Sequence, residues 1–138
     1  MTQSTTRMDH LGIRCTLQTD FASTLARVIE ALKREGFGVL TDIDVQQTLK
    51  EKLGVDFRRY RILGACNPPA AHKVLQAEPQ VGLLLPCNVI VYELDDGSTV
   101  VSAFDPLQIV GESAAAGALR EVAEEIRARL ARVVGSLG

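Results

Sequence analysis

Apolar and polar residues alternate from Leu11 to Leu17, with Leu11, Ile13, Cys15 and Leu17 on one side and Gly12, Arg14 and Thr16 on the other. That period of two predicts a strand. The period then lengthens. Phe21, Leu25, Val28, Ile29 and Leu32 share one helical face, Thr19-Asp20 can cap the start, and Gly36 suits the left-handed stop. Phe37 to Ile43 reads as a second strand. Asp44 and Gln47 open a short helix with Val45, Leu49 and Leu53 inward, ending at Gly54.

Tyr60 to Ala65 is a third, short apolar strand. Asn67-Pro68 starts a helix, with Asn as N-cap and Pro in the first turn. Ala71, Val74 and Leu75 lie on that helix, and Pro79 ends it. Gln80 to Pro86 is apolar but too short for a core helix, so it reads as a buried loop or irregular segment. Asn88 to Leu94 and Thr99 to Phe104 form a hairpin around Asp95-Asp96-Gly97. From Ala114 to Leu137, Leu119, Val122, Ile126, Leu130 and Val133 recur at spacings of three and four, which predicts one long helix packed on the sheet.

The order β-α-β-α-β-α-β-β-α predicts an α/β (α+β) two-layer sandwich, a mixed β-sheet with helices on one face. Residues 1–10 read as a flexible leader, with His10 in it, and 11–138 as a single domain. Val89 and Val91 oppose Ile90, Tyr92 and Leu94 across the sheet, and Val100 and Phe104 oppose Val101 and Ala103. Both faces are therefore fairly apolar, and a two-fold homodimer would cover the one without helices.

Composition narrows the classes of function. The chain has 138 residues, of which 46% are hydrophobic and 23% charged, as in ordinary soluble domains. A net charge of -2 and no basic stripe speak against nucleic acid. No apolar run is long enough for a membrane span, and the polar N-terminus lacks a signal-peptide core. A reducing, cytoplasmic location is the expectation. Tryptophan is absent and aromatic residues make up 4%, which disfavours a base-stacking or sugar-stacking site. Three cysteines are too few and too widely spaced for a disulfide scaffold.

Among the residues able to do chemistry, Cys66 stands out. It closes a strand immediately before a helix start, where the helix dipole favours a thiolate. Such a thiol is a candidate nucleophile, metal ligand or redox centre, and equally a small buried hydrophobe. Cys87 follows Pro86 at the mouth of the next strand. Paired with Cys66 at one sheet end it would give a disulfide, a metal site or a donor-lined pocket. His72, about one turn into the helix, is a candidate base or third ligand, against the plainer role of a solvent-facing histidine. Cys15 shares its face with Ile13 and Leu17 and reads as core. Asp42 and Asp44 flank Ile43, and helix capping explains Asp44. Gly36-Phe37-Gly38 lacks the helix start that a dinucleotide loop needs.

The segments Gly36-Phe37-Gly38-Val39-Leu40, Lys50-Glu51-Lys52-Leu53-Gly54 and Tyr60 to Pro68, then Ala71-His72, Gly82 to Val89 and Phe104-Asp105-Pro106, resemble the family called domain of unknown function 302 (DUF 302). The resemblance covers most of the chain, and the ordered pair Cys66-Asn67-Pro68 and Pro86-Cys87-Asn88 is its most specific part. It implies a fold of the TATA-binding-protein-like class, in a single decorated copy that forms dimers. It implies neither DNA binding nor a settled activity. It does imply that Cys66, Asn67, Pro68, His72, Cys87 and Asn88 form a site.

Two classes of function follow. One is a homodimeric module that binds a small molecule or metal at the two Cys-Asn motifs, through Asn67, Pro68, His72, Cys87 and Asn88, with Cys66, Cys87 and His72 as the candidate metal ligands. The other is a thiol-dependent redox or acyl-transfer enzyme with Cys66 as the catalytic nucleophile and Cys87 or His72 in support. The binding module is favoured, because no general base is fixed by the sequence. No cofactor is identified by it.

Overall fold

The computed structural model describes residues 6–9, 11–109 and 116–138. His10 and the start expected at Ala114 for the last helix lie outside them. In chain order the elements are β1 (Arg7–Met8), β2 (Gly12–Leu17), α1 (Phe21–Arg34), β3 (Gly38–Asp44), α2 (Val45–Leu53), β4 (Tyr60–Cys66), α3 (Pro68–Ala77), a 3-10 helix (Pro79–Leu84), β5 (Cys87–Glu93), β6 (Thr99–Phe104), a 3-10 turn (Pro106–Ile109) and α4 (Ala116–Gly135).

The strands form one sheet in the order β1-β2-β6-β5-β4-β3. Every pairing is antiparallel, which corrects the expected mixed sheet. The reason lies in the crossover. α1 joins β2 to β3, two strands of like direction, but β6, β5 and β4 are inserted between them. The other helical connections, α2 and α3, join antiparallel neighbours. Arg7–Met8, within the segment read as a leader, pairs with Arg14 and Ile13 as an edge strand.

The core lies between one sheet face and the helices. Ile13, Cys15 and Leu17 of β2, Leu63 and Ala65 of β4, Val89 and Val91 of β5, and Val101 and Ala103 of β6 meet Val28 and Leu32 of α1 and Ile126, Leu130 and Val133 of α4. Leu11, expected on this face, is 68% exposed because the strand begins only at Gly12. Asp20 caps α1 by accepting from the Ser23 N–H. At its other end Gly36 (φ 85°) is left-handed, and the N–H groups of Phe37 and Gly36 bond the carbonyls of Leu32 and Lys33. That pair of bonds turns the chain directly into β3.

Two expectations of burial fail. α2 contains no buried residue, and Leu53 is 69% exposed. Its cap is as expected, with Asp44 accepting from the Gln47 N–H, but Gln47 reaches forward to Glu51 rather than back. The apolar run after Pro79 is a 3-10 helix in which Val81 is buried while Leu83 is 83% exposed. With about three residues per turn, side chains two positions apart in a 3-10 helix point in different directions, so only one of these faces the core. On the sheet face opposite the core, Ile62 pairs with Ile90 and Tyr60 with Tyr92, whose rings stack with centroids 5.2 Å apart. All four are half-buried. Among the described residues no helix is long and apolar enough to cross a membrane.

Candidate functional site: an apolar cavity at the Cys-Asn motifs

β4 and β5 are direct neighbours, with Ala65 opposite Cys87. The end of one and the start of the other therefore bring Cys66 and Cys87 to the same sheet end, a proximity that their spacing in sequence conceals. Both are free thiols. Cys87 is buried, and burial pushes its thiol up to about 11, with the nearby Cys66 adding to the effect. Cys66 is half-buried.

Asn67 takes the chain from β4 into α3. Its Oδ1 accepts from the Ala70 N–H at 3.2 Å, and its Nδ2 donates to the Gly36 carbonyl at 3.3 Å. The Ala71 N–H is bonded to the Asn67 carbonyl at 2.9 Å. Pro68 and Pro69, between them, have no N–H at all. A helix start normally offers orphan donors to an anion. Here the two prolines remove two of them and Asn67 Oδ1 occupies that of Ala70.

α3 lies beside α4, and the two helices with the ends of β4 and β5 border a half-open cavity of about 290 Å³. Ala65, Cys66, Asn67, Pro86 and Cys87 form its sheet end. Ala70, Ala71, Val74 and Leu75 of α3 form one wall, and Val122, Ala123 and Ile126 of α4 another. Phe37, Leu40, Leu85 and Pro106 also line it. Small side chains at Ala70, Ala71 and Ala123 leave the space open. Leu40 and Leu75, 67% and 38% exposed, mark the mouth. Among the described residues no charged side chain is in the lining. A Cβ on Gly64 would fall 2.7 Å from Pro86 Cγ and closer still to Thr41 Oγ1, so glycine is required there for Pro86 to seat over β4.

The family described as domain of unknown function DUF302 matches residues 13–137. The chain belongs to the DUF302 family. It is similar to a solved relative, the crystal structure of an uncharacterized conserved protein DUF302 from Bacillus stearothermophilus, at 35% identity. That match covers 94% of this chain and 100% of the relative, with a TM-score of 0.84. No curated protein matches this chain.

In this DUF302 chain the expected site residues divide into two sets. Cys66, Asn67 and Cys87 border one cavity. Pro68 and His72 are exposed on α3 and outside its lining. Asn88 is exposed too, because its neighbours Cys87 and Val89 face the core and alternation sends it to the opposite sheet face. The Cys66, Cys87 and His72 metal set is accordingly corrected: among the described residues no group of three or more His, Cys, Asp or Glu side chains could hold a metal. Cys15 is core as expected, its thiol pushed up to about 11 by burial and drawn partly back by Arg27. Arg61 accounts for the paired carboxylates, bonding Asp42 at 2.7 Å and approaching Asp44 at 3.6 Å. The lining residues of α4 and Phe37 escaped the sequence reading because an apolar stripe that walls a cavity looks like one that fills a core.

Proposed function

We propose that this DUF302 protein is a binding module for a small apolar molecule, held in the cavity bordered by Cys66, Asn67 and Cys87. The observation that carries the reading is the chemistry of the wall. It is built from aliphatic side chains, one aromatic ring, proline rings and two thiols, with the Asn67 amide engaged at both ends. A concave, largely preformed apolar site is what small-molecule pockets share, and burying ligand surface there contributes roughly 25 cal/mol per Å². A volume of about 290 Å³ lies at the small end of the range for ligand pockets, which suits a small occupant.

Calorimetric titration with n-octanol tests this. Saturable binding to the parent protein and its loss in Ala71→Phe, which places a ring in the cavity, are expected. A parent protein that gives no saturable heat contradicts the reading.

The thiol-enzyme alternative has the position of Cys66 in its favour. Against it stand the absence of a base in the cavity lining among the described residues and the missing N–H groups of Pro68 and Pro69, which leave fewer backbone donors to stabilise an oxyanion. We further propose that a second copy covers the outer sheet face, in the dimeric, TATA-binding-protein-like arrangement that the family resemblance implies. The half-buried Ile62–Ile90 and Tyr60–Tyr92 pairs support this. A monomeric mass by light scattering at micromolar concentration would contradict it. Three free thiols suit a reducing compartment such as the cytoplasm.

A further inference from the structure

We infer that the cavity selects an uncharged ligand and rejects carboxylates and phosphates of the same length. The inference rests on the binding-module reading and specifies what that module discriminates against. Cys66-Asn67-Pro68 marks the start of a helix, and a helix start beside a pocket ordinarily marks an anion site. In this chain the anion-binding capacity has been removed group by group. The first two helical positions are Pro68 and Pro69, which carry no N–H. The third, Ala70 N–H, is held by Asn67 Oδ1, and from Ala71 onward the N–H groups enter the helix's own ladder, starting with the bond to the Asn67 carbonyl. The Asn67 Nδ2 is turned away to the Gly36 carbonyl.

Side-chain cations supply no substitute. Among the described residues the cavity lining has no Lys, Arg or His. Arg129 comes close behind the site, 3.7 Å from where a Cβ on Gly36 would stand, but it is not in the lining. Its guanidinium donates to the Glu35 carbonyl at 3.0 Å and pairs with Glu125 at 3.3 Å. His72 is exposed on α3, outside the lining.

A charged group seated deep in the half-open cavity would lose much of its water and find neither a counter-ion nor a row of donors among the described residues, which is the costly case for burial. The wall already shows this penalty at Cys87, where burial holds the thiol in its neutral form far above neutral pH. The two thiols are weak hydrogen-bonding groups, adequate for a hydroxyl, ether or thioether and poor for an anion. The matching ligand class is therefore a neutral aliphatic molecule with at most one weakly polar end.

The test is a paired calorimetric titration of the full chain near neutral pH with n-octanol and with octanoate, repeated on Ala71→Phe. Saturable n-octanol binding, lost in Ala71→Phe, with octanoate about tenfold weaker or more, is the expected result. Equal or tighter octanoate binding, also lost in Ala71→Phe, overturns the selectivity while leaving the apolar module standing. Binding of neither compound, or binding that Ala71→Phe does not change, overturns both readings.

Discussion

Asn67 ties the start of α3 to the end of α1: its Nδ2 donates to the Gly36 carbonyl 3.3 Å away, while its Oδ1 caps the Ala70 N–H. One side chain thus fixes the angle at which α3 leaves β4 and, with it, one wall of the cavity. Asn67→Ala removes both bonds. Loss of an N-cap costs about 1 kcal/mol, and the lost tether adds to it, so a total of roughly 1–2 kcal/mol is expected by urea denaturation. An unchanged midpoint would mean that the cap and tether contribute nothing to stability.

The three thiols differ in access, and their alkylation rates should differ accordingly. Cys15 is 1% exposed and Cys87 9%, whereas Cys66 is half-buried at the cavity. With N-ethylmaleimide near neutral pH, Cys66 should react about tenfold faster than either or more, and n-octanol should slow it. Peptide mass mapping over time reads each site separately. Comparable rates at all three would contradict the placement of Cys66.

Burial of Cys87 also has a pH signature. Its thiol is raised from 9.0 to about 11 in the folded protein, so between these values the unfolded chain gives up a proton that the folded chain keeps. Stability is then unaffected by this group below about pH 9 and falls as pH rises toward 11. Cys87→Ala should make that alkaline decline shallower, as read from melting temperature against pH. An identical slope in parent and variant would place the Cys87 thiol in a wetter setting than the structure gives it.

The local elements were legible in the sequence where a residue has a backbone consequence. Gly36 takes the left-handed turn, Asn67 caps α3, and Gly97 (φ 85°) closes the β5–β6 hairpin. The stripe of Leu119, Ile126, Leu130 and Val133 does bury one face of α4. Sheet order was not legible, because it depends on pairings such as Ile13 with Ala103 that no local pattern records. The site was half legible. Cys66, Asn67 and Cys87 carry visible motifs, but the cavity itself is made by missing volume at Ala70, Ala71 and Ala123, and small residues in a helix announce nothing. His72 takes the plainer of its two expected roles, because its helix turns Ala70 and Val74 inward and leaves the histidine on the exposed side.

The central claim, an apolar ligand seated between α3, α4 and the Cys-Asn motifs, is tested most directly by methyl NMR during titration with n-octanol. The account predicts saturating shifts at Val74, Leu75, Val122 and Ile126, with Val28 and the outer-face Ile62 and Ile90 unmoved. Shifts confined to Ile62 and Ile90, or no saturating shift at the cavity methyls, would contradict it.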